Sequence, residues 1–121
     1  MPETSYIVHG LRILEYSPDG PPIDNDRAAM DLIGDASSNS AELVVIPVER
    51  FSPDFFQLRT RLAGDLMQKF VNYRLRLAII GDLSKALAES QALQALVRES
   101  NRGNQIWFLP CIDQLKQKLA P

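Results

Sequence analysis

The alternation of apolar and polar positions is sharpest between Leu43 and Asp82, which reads LVVIPVERFSPDFFQLRTRLAGDLMQKFVNYRLRLAIIGD. Leu43–Val48 is an unbroken apolar run rich in β-branched residues, the composition of a strand covered on both faces. Leu75–Ile80 alternates Leu and Arg before turning wholly apolar ahead of Gly81-Asp82, which predicts a neighbouring strand with one wet end. A long helix between them makes the pair a right-handed βαβ crossover in a parallel sheet.

Ser52-Pro53-Asp54 suits a helix start: a hydroxyl cap, proline at the first helical position, and a carboxylate at the positive end of the dipole. The helix is expected to run from there to about Tyr73. At roughly 100° per residue, Phe55, Leu58, Leu62, Leu66 and Phe70 form one stripe against the sheet. A second stripe, Phe56, Thr60, Ala63, Met67 and Val71 with Gly64 at its edge, makes the apolar arc wider than one sheet face needs. Glycine inside a helix costs about 1 kcal/mol relative to alanine, so Gly64 suggests close approach by another element. Two readings are open. The terminal segments of this chain cover the second stripe, or the stripe is a partner or self-association surface.

The flanking segments fit around this unit. Tyr6–Val8 and Leu11–Tyr16 read as strands joined by a tight hairpin turn at His9-Gly10. Ser17–Asp26, SPDGPPIDND, is a loop; Arg27–Ala36 is a short helix with Ala28, Ala29, Leu32 and Ile33 inward, and Ser37–Ser40 is a polar connector. Leu83–Glu89 forms a helical turn or ordered loop, and Ser90 caps a helix carrying Leu93, Leu96 and Val97. Gly103 ends that helix, with Asn101 and Arg102 expected to bond its free carbonyls. Gln105–Leu109 is the last strand, and Pro110 precedes a final helix with Ile112, Leu115 and Leu119 inward. The order β-β-α-β-α-β-α-β-α describes one α/β domain over residues 1–121: a mostly parallel five-stranded sheet with an N-terminal hairpin and packed helices.

With 121 residues, 45% of them hydrophobic, the chain can bury a core without disulfides or metal. A single cysteine fits a reducing compartment. MPETSYIVHG lacks a basic segment followed by a long apolar run, and no stretch reaches membrane-spanning length, so a soluble cytoplasmic protein is expected. The net charge of −2 argues against nucleic-acid binding, which needs a basic surface. Arg59, Arg61, Lys69, Arg74 and Arg76 do not share one helical face and read as a solvated surface.

Ligands of open α/β sheets favour the carboxyl ends of the strands. Glu49, Arg50, Asp82, Ser84, Pro110 and Cys111 arrive there, with Arg59 close by. Arg59 is expected either to pair with Glu49 or Asp82 or to reach into a polar pocket, which makes Glu49, Arg59, Asp82 and Ser84 the candidate ligand-binding set. Cys111 is read as a buried structural cysteine and His9 as a turn residue; with one of each, a zinc site or a Ser-His-Asp arrangement has too few members. GDLS lacks the glycine spacing and lysine of a phosphate loop, and no cofactor is implied.

LRILEYSPDG, DLIGDA, LVVIPVERFSPDFFQLRTRLAG, QKFVNYRLRLAIIGDLS and ESNRGNQIWF, in this order along nearly the whole chain, resemble the bacterial family catalogued as domain of unknown function 4180. One departure concerns Arg61, which stands where the resemblance leads one to expect glycine, in an RTGLAG-like stretch. The order of elements is more distantly similar to STAS domains, the sulphate-transporter and anti-sigma-factor-antagonist modules. That resemblance implies docking onto protein partners, though ERFSPDFFQLRT lacks the Asp-Ser-Ser-Gly-like signature of their phosphorylation switch. The leading expectation is a non-catalytic regulatory or interaction domain using Phe56, Thr60, Gly64, Met67 and Val71 toward a protein partner or a second copy. The alternative is a small anionic-ligand-binding domain, or an enzyme, centred on Glu49, Arg59, Asp82 and Ser84.

Overall fold

In the computed structural model, residues 3–120 are described. The expected domain bounds, 1–121, take in three residues outside that range. Five strands form one sheet in the order β1-β2-β3-β4-β5. β1 (Glu3–Val8) and β2 (Leu11–Tyr16) are antiparallel, and β3 (Leu43–Pro47), β4 (Arg76–Ile80) and β5 (Ile106–Leu109) follow parallel to β2. The hairpin turns at His9-Gly10, both at positive φ, as a two-residue loop of matching twist requires.

Each parallel crossover steps one strand in the same direction, and crossovers of one hand then put their helices on one face. Accordingly, α1 (Asp26–Ser38), α2 (Leu62–Asn72) and Val97 of α4 (Gln91–Arg102) pack with Leu14, Val44, Ile46, Leu77, Ile79 and Phe108. The other face carries Ile13, Leu43, Val45, Ala78 and Trp107 under Leu115 of α5 (Ile112–Leu119). Ala78 pairs in register with Trp107, a small residue beside the bulky indole, and the indole N–H donates to the Gly103 carbonyl at 2.8 Å. The short helix α3 (Ser84–Glu89) precedes α4, whose Ser90 Oγ accepts from the Leu93 N–H at 3.1 Å. Among the described residues no helix is long and apolar enough to cross a membrane.

The single helix expected from Pro53 to Tyr73 is not formed. Two 3-10 turns, Pro53–Phe56 and Leu58–Thr60, come first, and α2 starts only at Leu62. The height of the sheet explains why: five residues of β4 rise about 16 Å, which the eleven residues of α2 match, whereas a helix over the whole span would be about 31 Å long. Locally, Ser52 makes no capping bond, and the Thr60 hydroxyl lies 2.8 Å from the carbonyls of Asp54 and Gln57, occupying groups a continuing helix would use. Phe51 stacks on Phe55 at 4.1 Å, and Phe56 meets both rings edge-on. The core stripe survives the break: Phe55, Leu66 and Phe70 are buried, with Leu58 and Leu62 packed against them.

Asn101 and Arg102 do not serve the end of α4 as expected. Asn101 instead donates to the Phe108 carbonyl at 3.0 Å and accepts from the Phe108 N–H at 2.7 Å, so its amide group occupies part of the edge of β5. Arg102 pairs with Glu99. Arg50, 7% exposed, donates to the carbonyls of Ser17 and Pro21 at 3.1 Å each and pins the loop after β2 to the end of β3.

Arg61 joins the second 3-10 turn to α2 at a φ of 64°. A left-handed backbone, at an exposed position, is what would suit a glycine there. A Cβ in that region costs about 1–2 kcal/mol. Arg61→Gly is therefore expected to stabilise the fold by about 0.5–1 kcal/mol, read as a higher urea midpoint at unchanged slope. An alkaline limit is also built in. Burial first, then the hydrogen bond to Asp35 at 2.7 Å, holds the Tyr16 phenol above its ordinary range. A raised phenol pKa gives stability that is complete below the unfolded value and is lost as pH rises past it. Urea titrations are expected to show stability falling above about pH 10, less steeply in Tyr16→Phe.

Candidate functional site

Two connections leave the carboxyl ends of the central strands and diverge. After β3 the chain makes a 3-10 turn at Val48–Arg50 and enters the aromatic segment Phe51–Phe56. After β4 it passes through Gly81, at a φ of 142°, where a Cβ would overlap the Val48 side chain. Only glycine satisfies both conditions, so the two connections touch at their base and separate above it.

Between them lies an open groove of about 610 Å³. Phe51, Phe56, Leu58 and Arg59 line it from the first connection; Asp82, Leu83, Lys85, Ala86 and Glu89 line it from the second. Asp82 Oδ1 accepts hydrogen bonds from the Ser84 hydroxyl and from the Ser84 N–H, the latter at 2.9 Å. These two bonds, the hydroxyl's first, hold the Asp82 carboxyl below the usual carboxylate range. Gln94 Nε2 donates to the Leu87 carbonyl at 2.6 Å and fixes α3, which has no buried residue of its own, to α4.

The candidate residues divide between surfaces. Arg59 and Asp82 share the groove, and Ser84 stands beside it as the partner of Asp82. Glu49 is exposed in the preceding turn and does not line the groove. Of the two expectations for Arg59, an ion pair with Glu49 or Asp82 is not formed, and the side chain lines a groove instead; among the described residues, Lys69–Asp26 and Arg102–Glu99 are the pairs present.

The second helical stripe also separates. Phe56 turns into the groove, Thr60 closes the 3-10 turn, and Ala63 is buried. Met67 is half-buried against the core, leaving Gly64 and Val71, which is 42% exposed, on the outer side of α2. A Cβ at Gly64 would meet nothing within 4 Å, so no described segment makes the close approach the glycine suggested.

Sequence reasoning missed Phe51, Leu58, Lys85 and Glu89 as groove residues. Leu58 packs on the core as its stripe predicts and also reaches the groove, and the Lys85/Glu89 spacing of four residues is common on any solvated helix. Cys111, expected to be buried, is exposed. The strand ends at Leu109, Pro110-Cys111 form the turn, and Ile112 is the residue that packs against the core. His9, in the hairpin, lies at the end of the sheet opposite the groove. Among the described residues no group of three His, Cys, Asp or Glu side chains is arranged to hold a metal ion.

Neither the curated proteins nor the solved structures contain a match to this chain, and the distant likeness to STAS domains gains no support from them. One family model, described as "Domain of unknown function (DUF4180)", matches residues 8–119. That match takes in every strand and helix from the end of β1 to the end of α5, and the chain therefore belongs to the DUF4180 family.

Proposed function

We propose that this protein is a non-catalytic binding domain whose groove holds a small amphipathic ligand that carries a carboxylate or phosphate. The carrying observation is that Arg59 lines an open groove of about 610 Å³, beside apolar side chains, without an ion-pair partner among the described residues. That volume falls within the range typical of small-molecule sites, which combine apolar walls with a few placed polar groups. Phe51, Phe56 and Leu58 suit an apolar body, and a guanidinium presents a planar fork that matches carboxylate or phosphate. The non-catalytic reading draws on the remoteness of His9, at the opposite end of the sheet.

A thermal-shift screen of aliphatic and aromatic carboxylates, amino acids and phosphates tests this reading, because a ligand of the native state raises Tm by linkage. At least one compound is expected to stabilise the protein, and Arg59→Ala is expected to weaken it about tenfold or more, a loss of about 1.4 kcal/mol. Since Arg59 is exposed, the unliganded Tm is expected to stay unchanged. A library without any stabilising member overturns the proposal.

A second reading, self-association through the outer face of α2, is favoured by the exposure of Val71 and the open space over Gly64. It predicts a dimer by light scattering that Val71→Glu converts to a folded monomer. Met67→Glu is the poorer variant because Met67 also packs on the core. A monomeric wild type removes this reading.

A further inference from the structure

Resting on the groove as a ligand site, we infer that its ligand is an apolar zwitterion, an α-amino acid or short peptide, with its carboxylate at Arg59 on one wall and its ammonium at Asp82 on the other. The inference comes from the charges on the walls. Two cations and two anions line the same groove, and none of the four is in an ion pair with another.

Lys85 and Glu89 are four residues apart on α3, the spacing at which helical side chains readily meet, yet they do not pair. A simple anion attracted by Arg59 and Lys85 would also meet the fields of Asp82 and Glu89, and a simple cation would meet the reverse. A ligand carrying both charges complements all four groups. Asp82 is prepared for this role, because Ser84 engages only Oδ1, leaving Oδ2 free of hydrogen bonds among the described residues. The apolar side chains of Phe51, Phe56 and Leu83 then receive the body of the ligand. The separation of the two termini grows by at most about 3.6 Å for each added residue, so ligand length distinguishes a free amino acid from a peptide.

Calorimetric titration of the full chain with leucine, dileucine and trileucine identifies the length, and the best of these is compared with its N-acetyl, C-amide and doubly blocked forms. The free zwitterion is expected to bind about tenfold or more tightly than either singly blocked form. Arg59→Gln should make the free and C-amide forms alike. Asp82→Asn should make the free and N-acetyl forms alike, because each of these two variants removes the partner of one terminus. An N-acetyl form that binds as tightly as the free one overturns the zwitterion while leaving the groove an anion site. So does the absence of binding by every leucine compound when the carboxylate and phosphate screen yields a ligand. Failure of both sets removes the groove reading as well.

Discussion

A return helix in a parallel sheet has to match the rise of the strands it connects, and here that rise is short. The five residues of β4 and the eleven of α2 both span about 16 Å, so the residues between β3 and α2 cannot be helix lying along the sheet. They fold instead into two 3-10 turns held by the Phe51–Phe55–Phe56 cluster and the Thr60 hydroxyl. This surplus forms one wall of the groove. Arg61, in its left-handed conformation, marks the point where the surplus ends and the crossover helix begins.

The same sheet sets the arrangement of the other elements. Its crossovers advance in one direction, which crowds α1, α2 and α4 onto one face and leaves the opposite face to α5. It also leaves the β2–β5 order without the reversal at which ligand crevices of doubly wound sheets form. The groove arises another way: Gly81 lets the two connections meet closely at Val48, after which the aromatic segment and α3 stand apart.

The groove then gathers charges that the fold itself does not use. The buried cation, Arg50, is committed to backbone carbonyls of the loop after β2, while Arg59 faces solvent from one wall of the groove and Asp82, Lys85 and Glu89 from the other. Ser84 contributes by orienting a carboxylate. Two separate segments of the chain build the groove, so its shape depends on the length and stiffness of both connections.

The sequence by itself determined where the strands lie along the chain, because Leu43–Pro47, Leu77–Ile80 and Ile106–Leu109 are apolar runs that only a sheet covered on both faces buries. It also determined the hairpin at His9-Gly10, the Ser90 cap and the inward stripe from Phe55 to Phe70, since turn chemistry, capping and periodicity are local properties. Arg59 and Asp82 were legible as neighbours from strand-end logic alone. The helix break was not: periodicity fixes which side chains face the core, and two 3-10 turns followed by a helix present the same five. Only the tertiary structure decided that Phe56 and Arg59 line a groove with Lys85 and Glu89, that Asn101 serves the β5 edge, and that Cys111 is exposed. Each of these depends on the distance between segments set by sheet height and strand order, and that distance is not encoded in any local window of the chain.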